Sequence, residues 1–197
     1  MSLQTVVGKF VEMCNQLKNI DVMRRIGFLL IAVATMAGVI AGASPASQPA
    51  DEAAATISKG KLPSGYRDWR LISVAREEGE LDDIRAVLGN DVAITAYRKG
   101  TRPFPDGTII ARIAWSYDSS EENNKTFGRR QSFVAGRPKN GVQFMVKDST
   151  KYASTGGWGY SQFDDGKPLV DAAMLKSCFE CHQAFKDHDF VFTNYAP

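Results

Sequence analysis

Near the C-terminal end, the stretch CFECH sets Cys178 and Cys181 two residues apart and puts His182 directly after the second thiol. A C-x-x-C pair serves three chemistries: a redox disulfide, half of a zinc site, or thioether attachment of a haem. Redox disulfides usually open a helix early in a strand-helix-strand unit, whereas this pair lies inside the last helical pattern of the chain. A zinc site needs further ligands, and beyond the N-terminal segment only His182 and His188 could join the two thiols. A structural staple between Cys178 and Cys181 would close too small a ring to stabilise much. The third chemistry requires a histidine immediately after the second cysteine, which is what this sequence supplies. Thiols at neighbouring helical positions would reach the two vinyl groups of haem c, one per chain, while His182 presents its imidazole to the iron.

An electron-transfer cytochrome fills the other iron face with Met or a second His. Only 15 residues follow His182, and none is Met. His188 lies too close along the chain to reach the far face easily. Met174 precedes Cys178 by about one helical turn and belongs to the same side. Met145 lies in a strand-like stretch, where such a residue reads as core. The economical expectation is an open coordination position, favouring binding or chemistry at iron. A six-coordinate electron-transfer protein using Met145 stays as an alternative.

The chain that must position these groups has 197 residues and 21.6 kDa, enough for one domain plus an extension. Its formal charge is +2, and from Ser44 onward 20 Lys and Arg balance 20 Asp and Glu. No basic stripe stands out, so nucleic acid is not an expected partner. Residues 1–43 read as an address: Arg24 and Arg25 precede the apolar run 26–43, and Ala41 and Ala43 fit a cleavage site before Ser44. The stretch before Arg24 is long for a signal peptide, and Met23 is an alternative start. If uncleaved, the 18-residue run approaches membrane-spanning length. Either way the expected location is periplasmic, with membrane attachment only if the segment is retained. Cys14 lies upstream of the run and would be lost on processing.

Residues 44–62 read as a linker, of which 44–60 look like a tether, and residues 63–197 as the haem domain. RLISVA (70–75) and DIRAVLG (83–89) read as strands, and Asn90 with Asp91 caps a helix closed by Gly100. TIIARIAWSY (108–117) is the strongest strand, with Ile109, Ala111, Ile113, Trp115 and Tyr117 on one face and Ile110, Arg112 and Ala114 on the other. QSFVAG and VQFMVK flank RPKNG, whose Asn140-Gly141 predicts a hairpin. A short helix over DSTKYAST, a strand at WGYSQF and a last helix from Leu169 to Ala184 complete the reading. The fold class is α+β: an antiparallel sheet of about five strands with flanking helices and a C-terminal haem-attachment helix. That helix must pack on the sheet.

GYRDW, DIRAV, FPDGTIIAR, VKDS, CFECH and DFVFTNY, in this order across residues 63–197, resemble the cytochrome P-460 and cytochrome c′-beta family. The resemblance implies haem on Cys178 and Cys181, His182 as proximal ligand, and Arg85 near the haem pocket or propionates. In the P-460 branch a lysine on the strand after the D-G-T turn is joined to the haem, and a distal carboxylate accepts protons during hydroxylamine oxidation. Arg112 and Gln143 occupy those two slots. A guanidinium is a poor nucleophile, and a neutral amide cannot serve as a base. Both departures imply the c′-beta branch, which binds nitric oxide at a five-coordinate haem in an apolar pocket, with Phe133 and Phe144 as candidates to line it. The rival expectation is an enzyme that oxidises hydroxylamine or nitric oxide, with a base from a loop such as SYDSSEENN. The resemblance also implies a homodimer and allows a small redox partner.

Overall fold

The computed structural model describes residues 49–196. The apolar run, Cys14 and the expected cleavage site lie outside the described residues. Among the described residues no helix is long and apolar enough to cross a membrane.

Six antiparallel strands form one sheet in sequence order: β1 (Arg70–Glu77), β2 (Asp83–Gly89), β3 (Ile109–Ser119), β4 (Phe133–Lys147), β5 (Trp158–Asp164) and β6 (Lys167–Leu169). Among the described residues four α-helices flank it: α1 (Ala50–Ser58), α2 (Asp91–Lys99), α3 (Glu121–Phe127) and α4 (Ala172–His182). The class is therefore α+β, and the order is a simple meander in which each strand pairs with its successor.

The alternation expected along β3 divides the molecule into two cores. Ile109, Ala111 and Ile113 pack with Val142, Phe144, Val146 and Phe163, under Trp69 and helix α1. Ile110 lies on the opposite face with Val87, Trp158, Val191 and helix α2. The sheet is thus covered on both sides, and the chain end belongs to the second cover. Helix α2 forms where expected: the Asn90 side chain accepts from the Ala93 N–H, and Gly100 closes the helix in the left-handed region.

Three local expectations are corrected. The expected tether contains helix α1, whose Ala53 and Ile57 face the first core. Their spacing of four places them on one helical face, a pattern hidden in the Ala-rich, polar composition. The expected hairpin at Asn140-Gly141 is absent, because both sides of it belong to the single strand β4. Asn140 and Gly141 do adopt positive φ (59° and 56°), and they sit in a bulge where β4 gains residues over β3 between the pairs Ile113–Val142 and Trp115–Pro138. The third correction is the extra short strand β6, so that α4 begins later than Leu169.

Candidate haem site

Helix α4 carries all three groups of the CFECH stretch. Asp171 caps it, accepting from the N–H groups of Ala173 and Met174 at 2.8 and 3.4 Å. Positions i, i+3 and i+4 lie on one helical face, so Cys178, Cys181 and His182 project together. Cys181 is exposed and Cys178 is half-buried, both as free thiols. Burial, then the neighbouring Cys181, pushes the Cys178 thiol above its ordinary range, so it rests protonated. Met174 sits one turn earlier with its Sδ 3.8 Å from Cys178 Sγ, on the same helix side as expected.

His182 is oriented by the chain that follows it. Its Nδ1 lies 2.6 Å from the carbonyl oxygen of Phe190. A carbonyl only accepts, so Nδ1 carries the proton and Nε2 keeps its lone pair for a metal. Burial lowers the imidazole's affinity for a second proton. The rings of Tyr160 and Phe192 flank it at centroid distances of 5.1 and 4.5 Å.

Between α4 and the sheet lies a small cleft of about 50 Å³, open on one side and lined by Ile110, Gln143, Met145, Tyr160, Cys178 and His182, among others. A row of polar groups crosses the strands on the sheet face that bears Gln143. Arg85 donates from Nε and Nη2 to the two oxygens of Asp83 at 2.8 and 2.9 Å. Arg112 donates to the same carboxylate and, at 3.0 Å, to Gln143 Oε1. Gln143 Nε2 then donates to Gln162 at 2.8 Å. Asp83 is completely buried, and such a carboxylate stays in the fold only because both cations share it. Burial first, then the like charge of Arg85, lowers the proton affinity of Arg112.

The structure gathers some of the sequence candidates and separates others. Gln143, Cys178 and His182 line one cleft, Arg112 contacts Gln143, and Arg85 joins through Asp83. Met145 lines the cleft too, and packs at the edge of the second core. Phe144 borders the cleft, but its ring lies in the opposite core against Tyr66, Trp69 and Phe163. Phe133 is exposed at the far start of β4, stacked edge-on with Tyr117. His188 is exposed beside Phe185. The SYDSSEENN segment forms the end of β3 and helix α3, and no acid from it lines the cleft.

Sequence reasoning passed over Asp83, Tyr160, Lys147 and Asp189. Asp83 stands two residues before Arg85 on a strand, an alternation that puts both on one face and could have flagged it. Tyr160 belonged to a recognised strand with nothing to single it out. The pairing of Lys147 with Asp189, 42 residues apart, has no local signature.

Two thiols and a metal-ready imidazole on one helix face are the donor set a covalently attached haem requires. A second observation points the same way: the hydroxyl of Tyr160 is buried without a hydrogen-bond partner, beside the cleft shared with Cys178 and His182. Burial above all, helped by the negative charge of Asp189, raises its pKa, so it stays a donor seeking an acceptor. The residues therefore fit a haem. Residues 63–193 match the sequence model of the family described as Cytochrome P460. No curated protein matches the chain.

Proposed function

The chain belongs to the cytochrome P460 family, and so is a haem protein; on that premise we propose that it is an exported mono-haem c-type cytochrome whose open iron site binds nitric oxide. Cys178 and Cys181 would hold haem c through thioethers, and His182 would be the proximal ligand. When bound, the haem supplies an iron that can take up a small nitrogen oxide and change oxidation state. His182 is held by Phe190 with Nε2 free, and Tyr160 keeps a proton to donate.

One observation carries the choice of binding over oxidation: the Asp83–Arg112–Gln143 chain. Arg112 stands in the slot of the cross-linking lysine, engaged at both ends and without a free nucleophilic nitrogen. Gln143 stands in the slot of the proton acceptor with its carbonyl already accepting from Arg112. Asp83, the carboxylate of this row, is consumed by two guanidiniums, while Glu77 pairs with Arg85 and Asp189 with Lys147. These residues can position and donate to a ligand, but they hold no base ready to take its proton. In this reading the protein acts outside the cytoplasm, delivered by residues 1–43, and works as a nitric oxide carrier with a second copy of itself or a small redox partner.

The test is an optical spectrum of the reduced protein before and after adding nitric oxide, with peptide masses after proteolysis. The expected result is a broad high-spin band that changes on nitric oxide addition, with haem mass only on the peptide containing Cys178 and Cys181. Haem mass on the Arg112 peptide, or sustained hydroxylamine turnover with an artificial acceptor, would move the protein to the oxidising branch. Sharp low-spin bands before addition would put Met145, which lines the cleft, on the iron and end the open-site reading.

A further inference from the structure

Lys147 and Asp189 form an ion pair at 2.7 Å whose side chains are only 6% and 9% exposed. Every polar group of this pair is committed. Lys147 Nζ also donates to the Gly156 carbonyl at 3.0 Å and lies 4.9 Å from the centroid of the Trp158 ring. The second oxygen of Asp189 accepts from the Phe104 N–H at 2.7 Å. Asp189 is thereby tied to β4 on one side and to the segment before β3 on the other.

The next residue is Phe190, whose carbonyl meets His182 Nδ1. Asp189 and Phe190 both adopt the left-handed region, φ 53° and 62°, which Asp tolerates at a helix end but a bulky residue such as Phe190 enters only when the surroundings impose it. The ring of Phe190 lies so close to Gly156 that a Cβ there would come within 2.1 Å of it. Apolar burial alone could hold a chain end, and Val191 already contributes that at 4% exposure. A buried ion pair is a costly addition. What it adds is direction: a fixed backbone turn that aims one carbonyl.

We propose that the Lys147–Asp189 pair is a positioning device for the proximal histidine. It clamps the Asp189-Phe190 turn to the sheet so that the Phe190 carbonyl holds the His182 Nδ1–H and sets the electron donation of the imidazole to iron. A stronger hydrogen bond at Nδ1 makes the ring a better donor, which favours ferric over ferrous iron. This inference rests on His182 being the proximal ligand of the proposed haem.

The experiment compares the loaded wild type with the double variant Lys147→Met/Asp189→Asn, which removes both charges and leaves the net charge unchanged. Reduction potential and the ferrous iron–histidine stretching frequency are the readouts. The expected result is a more positive potential and a lower stretching frequency, with covalent haem retained because Cys178 and Cys181 are untouched. Lys147→Arg, which keeps a cation opposite Asp189, is expected to lie closer to wild type than the double variant in both readouts. If the double variant does not fold, Asp189→Asn alone, nearly isosteric, is read the same way and must shift in the same direction. Folded, loaded variants with wild-type potential and frequency would overturn the clamp and leave the proposed function standing. A wild-type chain without haem would overturn both.

Discussion

Arg112 on β3 and Gln143 on β4 face each other in register, and the guanidinium donates to the amide oxygen across 3.0 Å. This contact decides which way the amide points. With Oε1 occupied by Arg112 and Nε2 donating to Gln162, the side chain is held as a donor along the wall of the cleft. Arg112 is in turn held by Asp83, so a carboxylate two strands away fixes the polarity of a residue at the candidate site.

The anchor of that row should be costly to remove. Asp83→Ala leaves two guanidiniums, with side chains 13% and 16% exposed, without their shared anion. Losing one partner of a buried charge pair costs about 3–5 kcal/mol, and the exposed Glu77 near Arg85 recovers only part of it. Denaturant titration should therefore show a loss of about 3 kcal/mol. A loss under about 1 kcal/mol would mean that water or a rearranged Glu77 replaces the carboxylate.

Tyr160→Phe should act in opposite directions with and without haem. The buried, unpartnered hydroxyl is a liability in the haem-free chain, where leaving such a group unsatisfied costs about 1–3 kcal/mol. Thermal unfolding of the haem-free variant should match or exceed the wild type. In the loaded protein the same variant should lose a donor, seen as a changed vibrational frequency of bound nitric oxide or carbon monoxide. An unchanged frequency would show that the hydroxyl does not donate to the bound ligand.

Gly156→Ala should disturb the histidine from a distance. The position has φ +68°, and an added Cβ would collide with the Phe190 ring. The left-handed backbone alone costs a non-glycine residue about 1–2 kcal/mol, and moving Phe190 adds to it. Denaturation midpoints should fall accordingly, and the stretching frequency of the iron–histidine bond should fall with them. A drop in stability without any change in that frequency would show that the Phe190 carbonyl stays in place when its ring is displaced.

Alkaline pH should expose Tyr97. Burial raises its phenol from 10 to about 12, partly offset by Arg102. The unfolded chain gives up this proton near pH 10, while the folded chain keeps it until about 12. The unfolded state thus binds fewer protons in that window, and stability falls as pH rises across it. Tyr97→Phe should lose about 1 kcal/mol at neutral pH, through its 3.1 Å bond to the Thr193 carbonyl. It should also show a shallower decline than wild type above pH 10, read by denaturant titration at several pH values. Parallel declines would refute the assignment.

Much of this molecule is written in short-range chemistry. The Asn90 cap and Gly100 close, the alternation along β3, the strand at DIRAVLG and the helix bearing Cys178, Cys181 and His182 each depend on neighbours within about one or two turns. Steric and hydrogen-bonding preferences at that range can be read residue by residue. Composition misled where local preference had two outcomes: Asn140-Gly141 supplied positive φ, but β4 used it for a bulge, and Ala53 with Ile57 needed the sheet to make α1 worth forming. Only the tertiary structure decided that Asp83 also serves Arg112, that Tyr160 faces His182, and that Lys147 meets Asp189. Those contacts join residues brought together by the meander and by the return of the chain end over the sheet, and no local pattern carries the partner of a charge that lies tens of residues away.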